Sequence, residues 1–190
     1  MTKKELIKDF KIFRNHCIAW RSDFNAFVYL FSSSPEHLSI MNQIAPVFFH
    51  DIQNMMIRDL YSRCSILMDP PKSLGVHINI SIQHINHQLE GLGLLNGQIK
   101  RLTKSLLAYG KIVQKPRNKL ISHLDQKTAR RGRGLGKHKN EKRRAFLNNI
   151  QKYCDLVGIQ IGIGPLDFSV SPCKGDVQDL LRALSRCLHV

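Results

Sequence analysis

The chain has 190 residues, 43% of them hydrophobic, and a formal net charge of +15 at pH 7. This length allows one domain with a hydrophobic core, and no run approaches the roughly 18 consecutive apolar residues of a membrane-spanning helix. The five cysteines are an odd number without CxxC spacing, which argues against a disulfide framework and a zinc knuckle. We therefore expect a cytoplasmic protein with reduced thiols.

The positive charge is concentrated in one segment. Residues 100–144 carry 16 Lys and Arg against two acids, whereas residues 1–99 carry nine against eight and residues 145–190 carry four against four. Such a local excess favours a polyanionic partner, and RNA or DNA is the first candidate. A DNA-binding regulator has less support, because no helix-turn-helix spacing is recognisable.

The first segment predicts a long helix, because its apolar residues recur at alternating steps of four and three. They are Leu6, Phe10, Phe13, Cys17, Trp20, Phe24, Phe27 and Phe31. Ser34, Pro35 and Glu36 then predict the start of a second helix, with a capping hydroxyl, a proline at the first position and an acid in the first turn. Pro46 predicts a break or kink, and a third helix should follow until the prolines at 70 and 71.

A further apolar seam predicts a helix over residues 82–106. Three glycines within it favour a bend, because each costs about 1 kcal/mol relative to alanine. They are Gly91, Gly93 and Gly97. Pro116 fits the first position of another helix. Residues 128–142 have three glycines and no apolar period, which predicts a flexible basic loop.

The last part of the chain predicts a helix over roughly residues 141–157 and an amphipathic helix from Val177 to Leu188. Between them, alternating isoleucines at 159, 161 and 163 are typical of a short strand or hairpin, or of an extended loop. Long helices with short connections are typical of an up-and-down bundle. The predicted fold is therefore all-α, with the basic loop and a short irregular C-terminal extension.

Arg117, Asn118 and His123 form a compact polar group suited to phosphodiester chemistry. A guanidinium can hold a phosphate with two hydrogen bonds, and an imidazole can transfer a proton near neutral pH. On a helix Arg117 and His123 would lie about 120° apart, so only the long arginine side chain lets both reach one phosphate. The alternative is structural, because such short patterns also occur by chance.

A second candidate site is a metal pair at His84 and His87, with His77 upstream. Histidines on a polar helix face explain the pattern better.

A collinear set of residues between about 10 and 127 carries a resemblance to a known family. It comprises Trp20, residues 42–49 (NQIAPVFF), 51–53 (DIQ), 58–60 (RDL), Arg63, 67–70 (LMDP) and 116–125 (PRNKLISHLD). Through these residues the chain resembles the HEPN domains, and more closely their abortive-infection, AbiU-like branch. The resemblance implies that residues 1–127 form a HEPN-like helical bundle carrying the motif and that residues 143–190 complete the bundle after the basic loop at 128–142.

For HEPN ribonucleases the resemblance implies a dimer in which two Arg-polar-His motifs share one cleft, and RNA cleavage without metal by attack of the 2′-hydroxyl. Arg117 would stabilise charge on the phosphate, Asn118 would position it, and His123 would be the general base or acid. One residue departs from the pattern. Toxin-type members silenced by nucleotide transfer have a tyrosine two residues after the histidine, whereas this chain has Asp125, which argues against that neutralisation.

We therefore expect a metal-independent endoribonuclease of defence or toxin type, or alternatively a non-catalytic HEPN module that binds RNA or oligomerises. No cofactor or metal is expected. The expected partners are RNA, a second copy of the chain, and an antitoxin or regulatory protein, with no membrane. The residues expected to hold the RNA backbone are Lys115, Lys119, Arg130, Arg131, Arg133, Lys137, Lys139, Arg143 and Arg144.

Overall fold

The computed structural model describes residues 2–73, 76–116, 140–168 and 173–188. The helices in these residues are α1 (Lys3–Phe31), α2 (Pro35–Ile44), α3 (Pro46–Leu67), α4 (Ile82–Gly91), α5 (Gly97–Pro116), α6 (Asn140–Ile161) and α7 (Val177–Leu188). Between α3 and α4, strand β1 (Lys72–Ser73) pairs antiparallel with β2 (His77–Ile78). The predicted all-α class is confirmed.

The start of α2 and the break after it follow the predicted side chains. Oγ of Ser34 accepts a hydrogen bond from the backbone N–H of Glu36 at 3.1 Å, and Pro35 is the first residue of α2. Helix α2 ends at Ile44 and α3 begins at Pro46. Proline restrains the residue before it from helical angles and is tolerated in a first helical turn, so the predicted break is confirmed.

The predicted helix over residues 82–106 is wrong as a single bent helix. It is divided into α4 and α5, and the connection contains Gly93 with a φ of +68°, which glycine adopts without strain. Oδ1 of Asn96 then accepts hydrogen bonds from the backbone N–H groups of Gln98 and Ile99, both at 3.0 Å. Asn96 therefore caps a new helix, which the apolar period alone does not reveal.

The predicted helix start at Pro116 is also wrong, because Pro116 is the last residue of α5. The apolar seam continues past Leu106 to Val113, which is 3% exposed. Burial of this face stabilises the last turns of α5 against the preference of the residue before proline for extended angles.

Helix α6 is longer than predicted and includes Ile159 and Ile161, so the alternating isoleucines do not form a strand. Val157 and Ile161 are buried on the helical period, while Ile159 is exposed. Gly162 follows with a φ of +83°, a left-handed conformation that is common where helices end.

The described residues form two compact units. The first lies within Met1–Ile18 and Tyr61–Asp167, and the second within Ala19–Leu60 and Phe168–Val190. The largest buried side chains of the first unit include Leu6, Phe10, Phe13, Ile82, Ile85, Leu89, Ile99, Leu106, Ile150 and Tyr153. The predicted division into a bundle, a loop and C-terminal helices is not tested by these units and stays a prediction.

The second unit has its own core, in which α2 packs against α7. The buried residues of this core are Leu30, Phe31, Ile40, Met41, Phe49 and Leu181. In the same unit, the indole N–H of Trp20 donates a hydrogen bond to the carbonyl oxygen of Leu60 at 2.9 Å, which satisfies the polar atom of a buried aromatic ring.

A polar cluster connects α1 and α4 in the first unit. Oδ2 of Asp9 accepts hydrogen bonds from Nε2 of Gln88 at 2.6 Å and from Nε2 of His84 at 3.0 Å. His84 and Gln88 are 9% and 3% exposed, so water cannot readily replace the carboxylate. The cluster therefore contributes to stability chiefly because losing Asp9 would leave two buried donors unpaired.

Asp9→Ala should lower the free energy of unfolding by about 2–4 kcal/mol for that reason. Urea denaturation followed by circular dichroism measures the change. Asp51→Ala, at an exposed position of α3, is the control and should change the same quantity by less than about 0.5 kcal/mol. Equal losses in the two variants would contradict the role given to the cluster.

Stability should also fall at alkaline pH, because burial raises the pKa of Cys17, Cys64 and Tyr153 in the first unit. The pKa of Cys64 rises from 9.0 to about 12. Since the folded pKa exceeds the unfolded one, this stabilisation is complete below about pH 9 and is lost as pH rises through about 12. Urea midpoints measured from pH 8 to 11 should decline, and less steeply for Cys64→Val. An unchanged slope in that variant would rule out this thiol as a cause.

Candidate functional site

The predicted catalytic residues Arg117, Asn118 and His123 lie outside the described residues. The same holds for six predicted RNA-binding residues, which are Lys119, Arg130, Arg131, Arg133, Lys137 and Lys139. Lys115 lies in the last turn of α5, where only the backbone is described. The structure does describe the two helices, α5 and α6, that precede and follow this segment in the chain.

Helix α5 precedes the motif in the chain and α6 follows it, and these two helices pack against each other. The rings of Tyr109 and Phe146 stack with centroids 4.3 Å apart and an angle of 16° between their planes. Farther along, Nδ2 of Asn149 donates a hydrogen bond to Oγ of Ser105 at 2.9 Å. The segment with Arg117 and His123 therefore begins and ends on two helices that are fixed to each other.

Three basic residues occupy the first turns of α6, in different surroundings. Lys142 and Arg144 are exposed, whereas Arg143 is only partly exposed. Burial raises the pKa of both Tyr61 and Tyr109, and the positive charge of Arg143 opposes that rise. Arg143 thus lies near the two tyrosines. Of the three, Lys142 and Arg144 are the ones whose charge is presented to solvent.

A lysine stripe on α5, formed by Lys100, Lys104 and Lys111, adds to the positive charge. All three side chains are exposed. At about 100° per residue, their spacing of four and seven places them within about 40° of one another around the helix. The stripe is not among the predicted RNA-binding residues, and its spacing within the basic segment is the sequence signal that indicates it.

A groove of about 310 Å³ lies in the first unit, between the end of α3, α4 and the second half of α5. Its walls include Ser65, Met68, Asp69, Gln83, Lys111 and Gln114. The groove is not predictable from sequence patterns, because its walls come from three separate stretches of the chain.

Two contacts shape the groove. Nε2 of Gln83 donates hydrogen bonds to the carbonyl oxygens of Met68 at 3.2 Å and Asp69 at 3.4 Å, in the turn that follows α3. On α5, a Cβ added to Gly110 would lie 2.7 Å from Cγ of Met68. Glycine at 110 therefore lets α5 approach this turn closely.

The histidines at 84 and 87 have structural explanations. His84 is bonded to Asp9 as described above, and His87 is exposed. Within the described ranges, no group of three or more His, Cys, Asp and Glu side chains could hold a metal ion. None of the helices in these ranges is both long and apolar enough to cross a membrane.

Comparison with known proteins places the segment with the motif inside a family match. The model of the family HEPN_AbiU2, described as AbiU2, matches residues 3–180. The match therefore covers nearly the whole chain, including Arg117, Asn118 and His123. Searches of curated proteins and of solved structures give no significant match.

Proposed function

Because the chain belongs to the AbiU2 family of HEPN domains, we propose that it is a metal-independent endoribonuclease of an abortive-infection system. The family match confirms the resemblance predicted from the sequence and, with the seven helices of the described residues, the predicted HEPN-like all-α bundle. The observation that carries the proposal is the match across Arg117, Asn118 and His123, within a segment of 16 basic and two acidic residues. An Arg-polar-His group within that charge suits phosphodiester chemistry on a polyanion.

The proposed reaction needs three groups. A base removes the proton from the 2′-hydroxyl, which attacks the neighbouring phosphorus, and an acid protonates the departing 5′-oxygen. His123 can take either role, since imidazole exchanges protons near pH 7. Arg117 stabilises the negative charge that develops on the phosphate, and Asn118 orients it. The bond from phosphorus to the 5′-oxygen breaks as the bond to the 2′-oxygen forms, which leaves a 2′,3′-cyclic phosphate.

Exposed cations on the described helices support RNA as the substrate. The lysine stripe of α5 and the exposed Lys142 and Arg144 of α6 belong to the helices on either side of the motif. Contacts of this kind hold the phosphate backbone and do not depend on its sequence. They suit a strand whose phosphodiester reaches Arg117 and His123.

We also propose that the active form is a homodimer, since one copy of the motif offers a single histidine for two proton transfers. A second copy would supply the other His123. In the second unit, Val47, Phe48 and Met55 are 74%, 58% and 63% exposed, an apolar surface that a second copy can cover.

Phe48→Asp combined with Met55→Asp should therefore yield a monomer with reduced cleavage activity, because two carboxylates would have to be buried in the interface. Light scattering at micromolar concentration measures the oligomeric state. A wild-type monomer, or a variant that still forms dimers, would contradict this interface.

Incubation of the purified protein with total RNA in EDTA tests the proposed activity, with His123→Ala as the control. Cleavage by the wild type alone supports it. Salt-dependent RNA binding without cleavage would instead favour a non-catalytic HEPN module. The exposed lysine stripe alone could provide such binding. The expected antitoxin or regulatory partner and the cytoplasmic location remain predictions.

A further inference from the structure

We propose that the groove between α3, α4 and α5 binds one nucleobase of the RNA strand on which the Arg117–His123 motif acts. This inference rests on the proposed function and deepens it, because it gives the site a means of selecting the nucleotide next to the cut. Three features support the inference. They are the buried hydroxyl of Ser65, the mixture of polar and apolar groups in the groove walls, and the short stretch of chain between Gln114 and Arg117.

Ser65 provides the first observation. Its side chain is 8% exposed, and Oγ has no hydrogen-bond partner within the part of the chain that the structure describes. A buried hydroxyl without a partner destabilises a fold, and most such groups in proteins are paired. Ser65 is one of the residues that line the groove. Its Oγ is covered in the present rotamer, and a rotation about χ1 would bring it to the groove, where a polar atom of a ligand can supply the missing partner.

The remaining walls combine groups that suit the edge and the face of a base. Gln114 presents a carboxamide, and Gln83 keeps its carboxamide oxygen as an acceptor while Nε2 is bonded to the turn after α3. Carboxamides recognise base edges because they carry donors and acceptors together. Met68 contributes a thioether, which packs favourably on aromatic rings.

The charges of the groove favour a base over a bare phosphate. Asp69 is the acidic residue of the wall, and its negative charge disfavours an anion placed beside it. Lys111 is exposed and belongs to the lysine stripe of α5. A nucleotide can thus place its neutral base in the groove while its phosphate remains near Lys111.

The position of the groove in the chain connects it with the motif. Gln114 precedes Arg117 by three residues, so their Cα atoms lie at most about 11 Å apart. Adjoining nucleotides of one strand can bridge that distance. A base bound beside Gln114 would therefore belong to a nucleotide at or next to the phosphodiester that Arg117 holds.

Fluorescence anisotropy with the full-length chain tests the inference. The protein carries His123→Ala so that RNA stays intact, and the probes are fluorescein-labelled 12-mers of each of the four ribonucleotides and a ribose-phosphate 12-mer without bases. The protein with an unchanged groove should bind one homopolymer more tightly than it binds the other three or the strand without bases. Ser65→Ala and Gln114→Ala should each weaken that preferred binding about fivefold or more, leaving the strand without bases unaffected.

Ser65→Ala has a second expected effect of opposite sign. Removing an unpaired buried hydroxyl should leave Tm unchanged or raise it by about 2–4 °C, which a merely structural serine would not show. The matched controls are Ser62→Ala on α3 and Gln98→Ala on α5, neither of which lines the groove. Both should bind all probes as the parent does.

Equal binding of RNA and of the strand without bases, or unchanged binding in both groove variants, would overturn the inference. The proposed function is judged separately, in chains that retain His123. If Ser65→Ala and Gln114→Ala cut all four homopolymers as fast as the wild type, the ribonuclease stands and the groove does not select a base. If base-selective binding occurs without any cutting, the groove proposal stands and the ribonuclease fails.

Discussion

Replacing His123 by alanine should lower the rate of RNA cleavage by about 10²- to 10⁴-fold, the range that general acid-base catalysis contributes. Arg117→Ala should lower the rate by a similar 10²- to 10³-fold, because charge on the pentavalent phosphate would lose its stabilising cation. Single-turnover cleavage of an end-labelled RNA measures both. Helical content and dimer formation should remain unchanged, since the proposed role of these side chains is chemical.

His87→Ala is the matched control for the histidine variant. His87 is exposed on α4 and belongs to no described hydrogen bond, so its loss should leave the cleavage rate unchanged. Full activity in His123→Ala would remove the proposed acid or base. Loss of activity in all three variants would point to damage of the fold rather than to chemistry.

Neutralising four cations of the basic segment should have the second largest effect. The variant changes Arg130, Arg131, Arg133 and Lys137 to glutamine. If each contacts a phosphate, RNA affinity at physiological salt should fall on the order of 10²-fold, and the slope of log K against log salt should decrease by about 3. Filter binding of single-stranded RNA across a salt series measures both quantities.

A control with the same loss of charge separates local contacts from net charge. Lys3, Lys4, Lys8 and Lys11 are exposed on α1, outside the basic segment. Changing these four to glutamine should lower affinity much less and leave the slope nearly unchanged. Similar effects of the two variants would mean that the basic segment attracts RNA only through its contribution to net charge.

The sequence was sufficient for features that depend on neighbouring residues. The seam from Leu6 to Phe31 predicts α1, because a helix with one buried face needs that period and little else. Ser34, Pro35 and Pro46 predict the boundary between the first three helices, since capping and the missing proline N–H act within one turn.

Features that depend on packing were not predictable in the same way. The end of α5 at Pro116 is supported by burial of Val113, and the extension of α6 to Ile161 by burial of that side chain; both depend on contacts distant in the sequence. The groove likewise joins Ser65, Gln83 and Gln114. Neither hydrophobic periodicity nor composition predicts that a buried hydroxyl such as that of Ser65 lacks a hydrogen-bond partner.

The central claim is that this HEPN chain cuts RNA through the 2′-hydroxyl, and one measurement tests it most directly. A cleavage site is first mapped on an RNA oligonucleotide, and the same oligonucleotide is then made with a single 2′-deoxy nucleotide on the 5′ side of the cut. In EDTA the all-ribose strand should be cut to a 2′,3′-cyclic phosphate and a 5′-hydroxyl, while the deoxy strand should remain intact at that site. Equal cutting of the two strands would contradict the mechanism.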